Sequence, residues 1–126
     1  MPCFKENDKI MDHFFHPRNM GVMENPDALG KIGNPMCGDI MHIYLKIKDN
    51  IIEDIKFQTY GCAVAIASTS VLTELVKGKT LEQAKEISNK KIREILGDMP
   101  VHKHHCTILA EQALKSAIKN YEKKHG

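Results

Sequence analysis

The sequence has no apolar run longer than Ala63 to Ala67. That excludes a membrane-spanning helix, which needs about 20 such residues. It has no excess of one charge either: 18 Lys plus Arg against 16 Asp plus Glu leave a formal net charge of +2. That near-balance argues against nucleic-acid binding through a dense basic face. The N-terminal Met1-Pro2-Cys3-Phe4-Lys5-Glu6-Asn7-Asp8 lacks the basic-then-apolar order of a secretory leader, so a cytoplasmic location is expected. No C-x-x-C pair occurs, which removes zinc ribbons, zinc knuckles and thioredoxin-type redox motifs. No internal repeat or low-complexity segment is evident. What remains is 126 residues, 42% hydrophobic and 27% charged. This is the size and composition of one domain, expected over 1–126, and a chain this long can bury a core without disulfide staples.

Against that background the four cysteines, Cys3, Cys37, Cys62 and Cys106, are a surplus. An even count suggests disulfides in a short secreted chain, but nothing here indicates export. A free cysteine is ordinarily a small buried hydrophobe. Each must therefore be judged by where it falls.

Ile10, Met11, Phe14 and Phe15 have helical spacing and stop before Pro17, which predicts a short amphipathic helix. From Pro17 to Pro35 the repeated Pro, Gly and Asn predict irregular or edge structure. Met41, Ile43, Leu45 and Ile47 then alternate with His42, Tyr44, Lys46 and Lys48, as in a half-buried strand. Asp49-Asn50 supplies a two-residue turn that tolerates positive φ, and Ile51 to Tyr60 returns as the partner strand. Gly61 breaks it. A helix is predicted from Cys62 to Lys77, with Gly78 as its stop and Val64, Ala67, Val71, Leu72 and Leu75 as its apolar stripe. Thr80-Leu81-Glu82-Gln83 is a capping box opening a short helix to about Glu86. Ser88 or Asn89 caps another that ends near Leu96-Gly97. After Pro100 a last helix runs from about His105 to Tyr121, its apolar face built from Cys106, Leu109, Ala110, Ala113, Leu114, Ala117, Ile118 and Tyr121. The order predicts an α+β fold: an antiparallel sheet, with a central hairpin over about 40–60 plus an edge strand, and helices packed on one face.

Three of the cysteines fall at element ends. Cys37 lies in Pro35-Met36-Cys37-Gly38-Asp39, where Gly38 permits a tight turn that lets the thiol and the Asp39 carboxylate converge. Cys62 and Cys106 sit at predicted helix starts, where unpaired N–H groups and the helix dipole favour a thiolate, the form that binds metal or attacks sulfur. Cys3 has no such context and reads as a bystander. His105, beside Cys106, is the histidine best placed to join a shared site. His102, His104 and His125 read as solvated, and His13 and His16 as packing or capping around the first helix. Three thiolates with Asp39 or His105 suit zinc or an iron–sulfur unit, and spacing alone does not choose between them. One hard ligand among three soft ones suggests a site built to release what it binds, since long-lived clusters are usually held by four thiolates.

These residues resemble the iron–sulfur cluster assembly scaffolds of the IscU type, including the N-terminal domain of NifU. The resemblance runs through Met11-Asp12-His13-Phe14, Pro17-Arg18-Asn19-Met20-Gly21, Gly33-Asn34-Pro35-Met36-Cys37-Gly38-Asp39, Thr59-Tyr60-Gly61-Cys62, Ala65-Ile66-Ala67-Ser68, Val76-Lys77-Gly78-Lys79-Thr80-Leu81, Lys103-His104-His105-Cys106 and Leu109-Ala110-Glu111. It implies a non-enzymatic scaffold on which Cys37, Cys62 and Cys106, with Asp39 or His105 in the fourth position, hold a transient 2Fe–2S cluster. It further implies a cysteine desulfurase as the persulfide donor, Cys106 and then Cys62 as its acceptor, and apo iron–sulfur proteins or carriers as recipients. Lys103 matches a family lysine that modulates the acidic ligands, and zinc can occupy the same ligands in place of iron.

The chain also departs from the family. Ala63-Val64 stand where Gly-Ser is usual, which makes the stretch after Cys62 more apolar. Met99-Pro100-Val101-His102-Lys103 replaces the Leu-Pro-Pro-Val-Lys segment read by a dedicated chaperone, so that chaperone's recognition is not carried over. Glu6 stands where many members have Tyr. The 44-residue interval from Cys62 to Cys106 lacks the insertion of the zinc-dependent SufU branch. The further domains of full-length NifU are not expected. Two other readings use the same ligands: a zinc-binding sulfurtransferase partner that relays persulfide without building a cluster, and a structural zinc domain that would unfold on chelation. No membrane or nucleic-acid partner is expected, and monomer and homo-oligomer are both left open.

Overall fold

A computed structural model describes residues 8–34, 39–60, 63–97 and 104–125. Its centre is the expected hairpin, β2 (Asp39–Lys48) and β3 (Ile51–Tyr60). Asp49 and Asn50 between them have φ of 53° and 65°. Two consecutive left-handed residues give the twist that joins antiparallel strands tightly, and Asp and Asn tolerate that conformation. Met41, Ile43, Leu45 and Ile47 face Thr59, Phe57, Ile55 and Ile52 across the pair, and all eight are buried. Ile52 and Ile55 are three residues apart, so strict alternation would put them on opposite faces. The register shift between Lys46, opposite Asp54, and Ile47, opposite Ile52, removes the conflict by leaving Glu53 as an extra residue. The edge strand expected before Pro35 is β1 (Ala28–Asn34), antiparallel to β2 in the sheet order β1-β2-β3.

The helices cover one face of this sheet, as the pattern predicts. α5 (His104–His125) lies over β1 and β2, and α2 (Ala63–Val76) lies over β3. Gly30 makes the first of these contacts possible. A Cβ there would collide with the Ala113 carbonyl oxygen and stand 2.6 Å from the Ala117 nitrogen. α1 (Asp8–Phe15) packs on α2, α4 (Asn89–Leu96) packs between α2 and α5, and α3 (Leu81–Lys85) opens on the Thr80–Gln83 capping box. Away from the α2 start, the sheet end is closed by backbone bonds: Gly78 N–H to Ile52 O, Ile52 N–H to Lys79 O, and Leu81 N–H to Asn50 O.

Four details depart from the pattern. α1 buries Ile10 and His13, which share a face at i, i+3 spacing, and leaves Phe15, two residues past His13 and off that face, 64% exposed. α2 is not buried along one stripe: Ser68, Thr69, Ser70 and Thr73 are buried with Val64, Val71 and Leu72, whereas Leu75 is only partly covered. Ser88 has the extended backbone of a cap but makes no side-chain capping bond. The Asn89 N–H donates instead to Glu111 Oε1 of α5. Finally, α5 begins at His104 and continues past Tyr121 to His125.

Candidate functional site

The topology brings five element ends together. Asn34 at the end of β1 is paired with Asp39 at the start of β2. Ile40 is paired with Tyr60, the last residue of β3, and α2 opens at Ala63 directly after it. α5 runs antiparallel to β1: Gly30 meets Ala113 and Ala117, and Asn120 Nδ2 donates to Leu29 O at 2.8 Å. Following β1 from Leu29 towards Asn34 therefore follows α5 back towards His104. The Asp39 backbone, the end of β3 and the first turns of α2 and α5 share one end of the sheet.

Of the sequence-predicted ligands, Cys106 is the one whose side chain is described. It is the third residue of α5 and is fully buried. The backbones of Asp39 and His105 stand at the first position of β2 and the second of α5, but their side chains lie outside the described residues. Cys3, Cys37, Cys62 and Lys103 also lie outside them. Among the described residues no group of three or more His, Cys, Asp or Glu side chains is placed to hold a metal ion. No helix among them is long and apolar enough to cross a membrane.

His104 is not the solvated loop residue expected. It is the first residue of α5 and half-buried, its Nδ1 lies 2.9 Å from Arg93 Nη1 of α4, and its carbonyl accepts from Thr107 Oγ1 at 2.7 Å. No sequence signal links positions 93 and 104; only the antiparallel packing of α4 on α5 does. A second α4–α5 tie lies further along, where Asn89 N–H and Nδ2 both donate to Glu111 Oε1. Partial burial pushes the Glu111 carboxyl up, but hydrogen bonds from Lys115 and Asn89 outweigh it and hold the group below its ordinary value.

Behind the site α2 is anchored by a polar cluster. His13 Nδ1 is 2.8 Å from Ser70 Oγ, which also accepts from the Arg18 N–H at 2.9 Å. His13 Nε2 lies 3.6 Å from Glu74. Thr73 Oγ1 accepts from Asn19 Nδ2 and donates towards Arg18 O and Ser70 O. Burial, together with the positive charge of Arg18, holds the His13 imidazole below its ordinary value against the opposing pull of Glu74 and Asp12. His13 thus packs against the fold, as expected of it, and acts as an anchor.

The family model described as "NifU-like N terminal domain" matches residues 5–126. An iron-sulfur cluster assembly scaffold protein, IscU 1, of Archaeoglobus fulgidus is 54% identical over 120 residues, covering 95% of this chain and 78% of that protein. The Escherichia coli K12 protein of the same description, IscU, is 48% identical over 122 residues, covering 94% of each chain. Among solved structures, a putative SUF-system scaffold from Fervidobacterium islandicum superposes with a TM-score of 0.75 at 26% identity, covering 89% of this chain and 95% of that one. The N-terminal part of a NifU-like protein from Brucella abortus shares the fold, with a TM-score of 0.74 at 24% identity and 94% coverage of both. The chain belongs to the NifU-like N-terminal domain family.

Proposed function

We propose that this chain is a scaffold on which an iron–sulfur cluster is assembled and from which it passes to apo-proteins. The observation that carries this reading is near-full-length identity of 48% to 54% with proteins named as such scaffolds. In the proposal residues 1–126 act as one domain without catalysing turnover of their own. Cys37, Cys62 and Cys106 are the soft ligands of a 2Fe–2S cargo, with Asp39 or His105 in the fourth place and Lys103 modulating the acidic ligand. Support comes from chemistry and placement: Cys106 lies in the first turn of α5, and that turn shares an end of the sheet with the Asp39 backbone and the start of α2.

Sulfur enters from a cysteine desulfurase. A scaffold thiolate, Cys106 first and Cys62 second, attacks the terminal sulfur of the donor persulfide and the donor cysteine leaves as a thiolate. Each transferred sulfur then takes two electrons from an external reductant to become sulfide. Because Cys106 is fully buried, delivery to it requires its cover to open, and the same cover afterwards shields the bound sulfur from water. Zinc competes for the same ligands in a preparation exposed to it. The recipients are apo iron–sulfur proteins or their carriers.

Anaerobic reconstitution with ferrous iron and a sulfur source tests the reading. Wild type is expected to take up a stoichiometric, transferable chromophore. Single Cys37→Ser, Cys62→Ser and Cys106→Ser variants are each expected to lose most of it, and Asp39→Ala to change cluster lifetime and transfer rate. Three serine variants that all hold cluster normally would overturn the ligand assignment.

A further inference from the structure

α4 and α5 are antiparallel and joined by two polar ties, Asn89 to Glu111 and Arg93 to His104, with Ile92 and Leu96 of α4 buried beside them. The second tie falls on the first residue of α5, two positions before Cys106. Its direction is dictated by chemistry. A guanidinium carries only donors, so Arg93 Nη1 donates and His104 Nδ1 accepts, which leaves the ring hydrogen on Nε2. Held this way, His104 has no lone pair left with which to ligate a metal. It differs in role from His105 beside it.

Arg93 stands in the last turn of α4, where that helix's own dipole favours a cation, and from there it reaches the start of α5. A helix start carries partial positive charge and is stabilised by acidic side chains. The first turn of α5 has no acidic residue, and the neighbouring helix presents it with a cation. A cation at the start of α5 suits the cargo of the scaffold reading, since a persulfide and a thiolate-ligated cluster are both anionic.

We propose that Arg93 is a positioning and charge-supplying residue for the sulfur cargo: it holds the first turn of α5 through His104 and adds positive charge where Cys106 binds. This rests on the scaffold reading above. The test compares wild type, Arg93→Gln, Arg93→Lys and His104→Gln, each loaded anaerobically with ferrous iron and sulfide. Release to a chelator is followed by visible circular dichroism, with thermal unfolding of the apo-proteins recorded in parallel. Arg93→Gln keeps a donor for His104 but loses the charge, and is expected to release cluster about two- to fivefold faster. The gap should narrow at high salt, and Arg93→Lys should return release to the wild-type rate. His104→Gln keeps the cation but not the ring, and is expected to alter the dichroism of the bound cluster at unchanged apo stability. This last variant carries the test should Arg93→Gln not fold. Equal release from wild type and Arg93→Gln, equally fast release from Arg93→Lys and Arg93→Gln, or an unchanged His104→Gln spectrum overturns the proposal. A wild type that loads no cluster overturns the scaffold reading itself, and this proposal with it.

Discussion

α2 and α5 start at the same end of the sheet, yet the fold holds them in opposite ways. Ten of the fourteen residues of α2 are buried, four of them hydroxylic, so the helix is enclosed on almost every side. Three of the four hydroxyls are bonded: Thr69 Oγ1 donates to Ala65 O, Thr73 Oγ1 donates to Ser70 O, and Ser70 Oγ accepts from the Arg18 N–H and lies beside His13 Nδ1, while Ser68 Oγ has no hydrogen-bond partner among the described residues. α5 is enclosed along one stripe only and leaves Ile108 39% exposed within two residues of Cys106. An enclosed helix can move only if its neighbours move. A helix buried on one stripe can shift its first turn at lower cost. α2 is therefore the more fully enclosed side of the candidate site, and α5 the side whose first turn is held along one stripe.

The contrast is broken most directly by truncation. Leu72→Ala in α2 removes a fully buried side chain and is expected to cost about 2–5 kcal/mol in urea unfolding. Ile108→Ala in the first turns of α5 should stay within about 0.5 kcal/mol of wild type. Similar losses at both positions would erase the distinction between the helices.

A smaller effect is expected at the contact between β1 and α5. Gly30→Ala drives a Cβ into the backbone of Ala113 and Ala117, which cannot yield as a flexible side chain can. The expected cost is about 1–3 kcal/mol. Hydrogen exchange should quicken in α5 and leave α2 protected; uniform quickening would mean that the two helices respond as one body.

The smallest effect concerns the anchor of α2. His13 titrates below its ordinary value of 6.5 in the folded chain. As pH falls below about 6.5 the unfolded state takes up a proton that the folded state resists, so stability declines through the lower folded value. Above 6.5 both states are neutral and His13 contributes no slope. Unfolding free energy measured against pH should therefore fall more steeply on the acid side in wild type than in His13→Gln, and parallel curves would remove His13 from the anchor.

Much of the fold was legible because its signals are local. The alternation from Met41 to Ile47, the Asp49-Asn50 turn, the Thr80–Gln83 capping box and the stop at Gly78 each depend on residues a few positions apart, and each is present. The buried face of α1 was not legible, because it depends on Ser70 and Glu74, more than fifty positions away. The burial of Ile52 together with Ile55 required a bulge that alternation alone does not announce. His104 reads as solvated in the sequence because its partner, Arg93, belongs to another helix.

By itself the sequence determined the element types, the hairpin turn and the position of Cys37, Cys62 and Cys106 near expected element ends, since periodicity and capping act within a turn or a strand pair. Tertiary structure alone decided that the starts of β2, α2 and α5 share one end of the sheet, that α2 is enclosed, that Cys106 is buried, and that Arg93 reaches the first turn of α5. These depend on which faces close on one another once the backbone is packed, and on contacts such as Gly30 against Ala113 and Ala117 that exist only between segments distant in the chain.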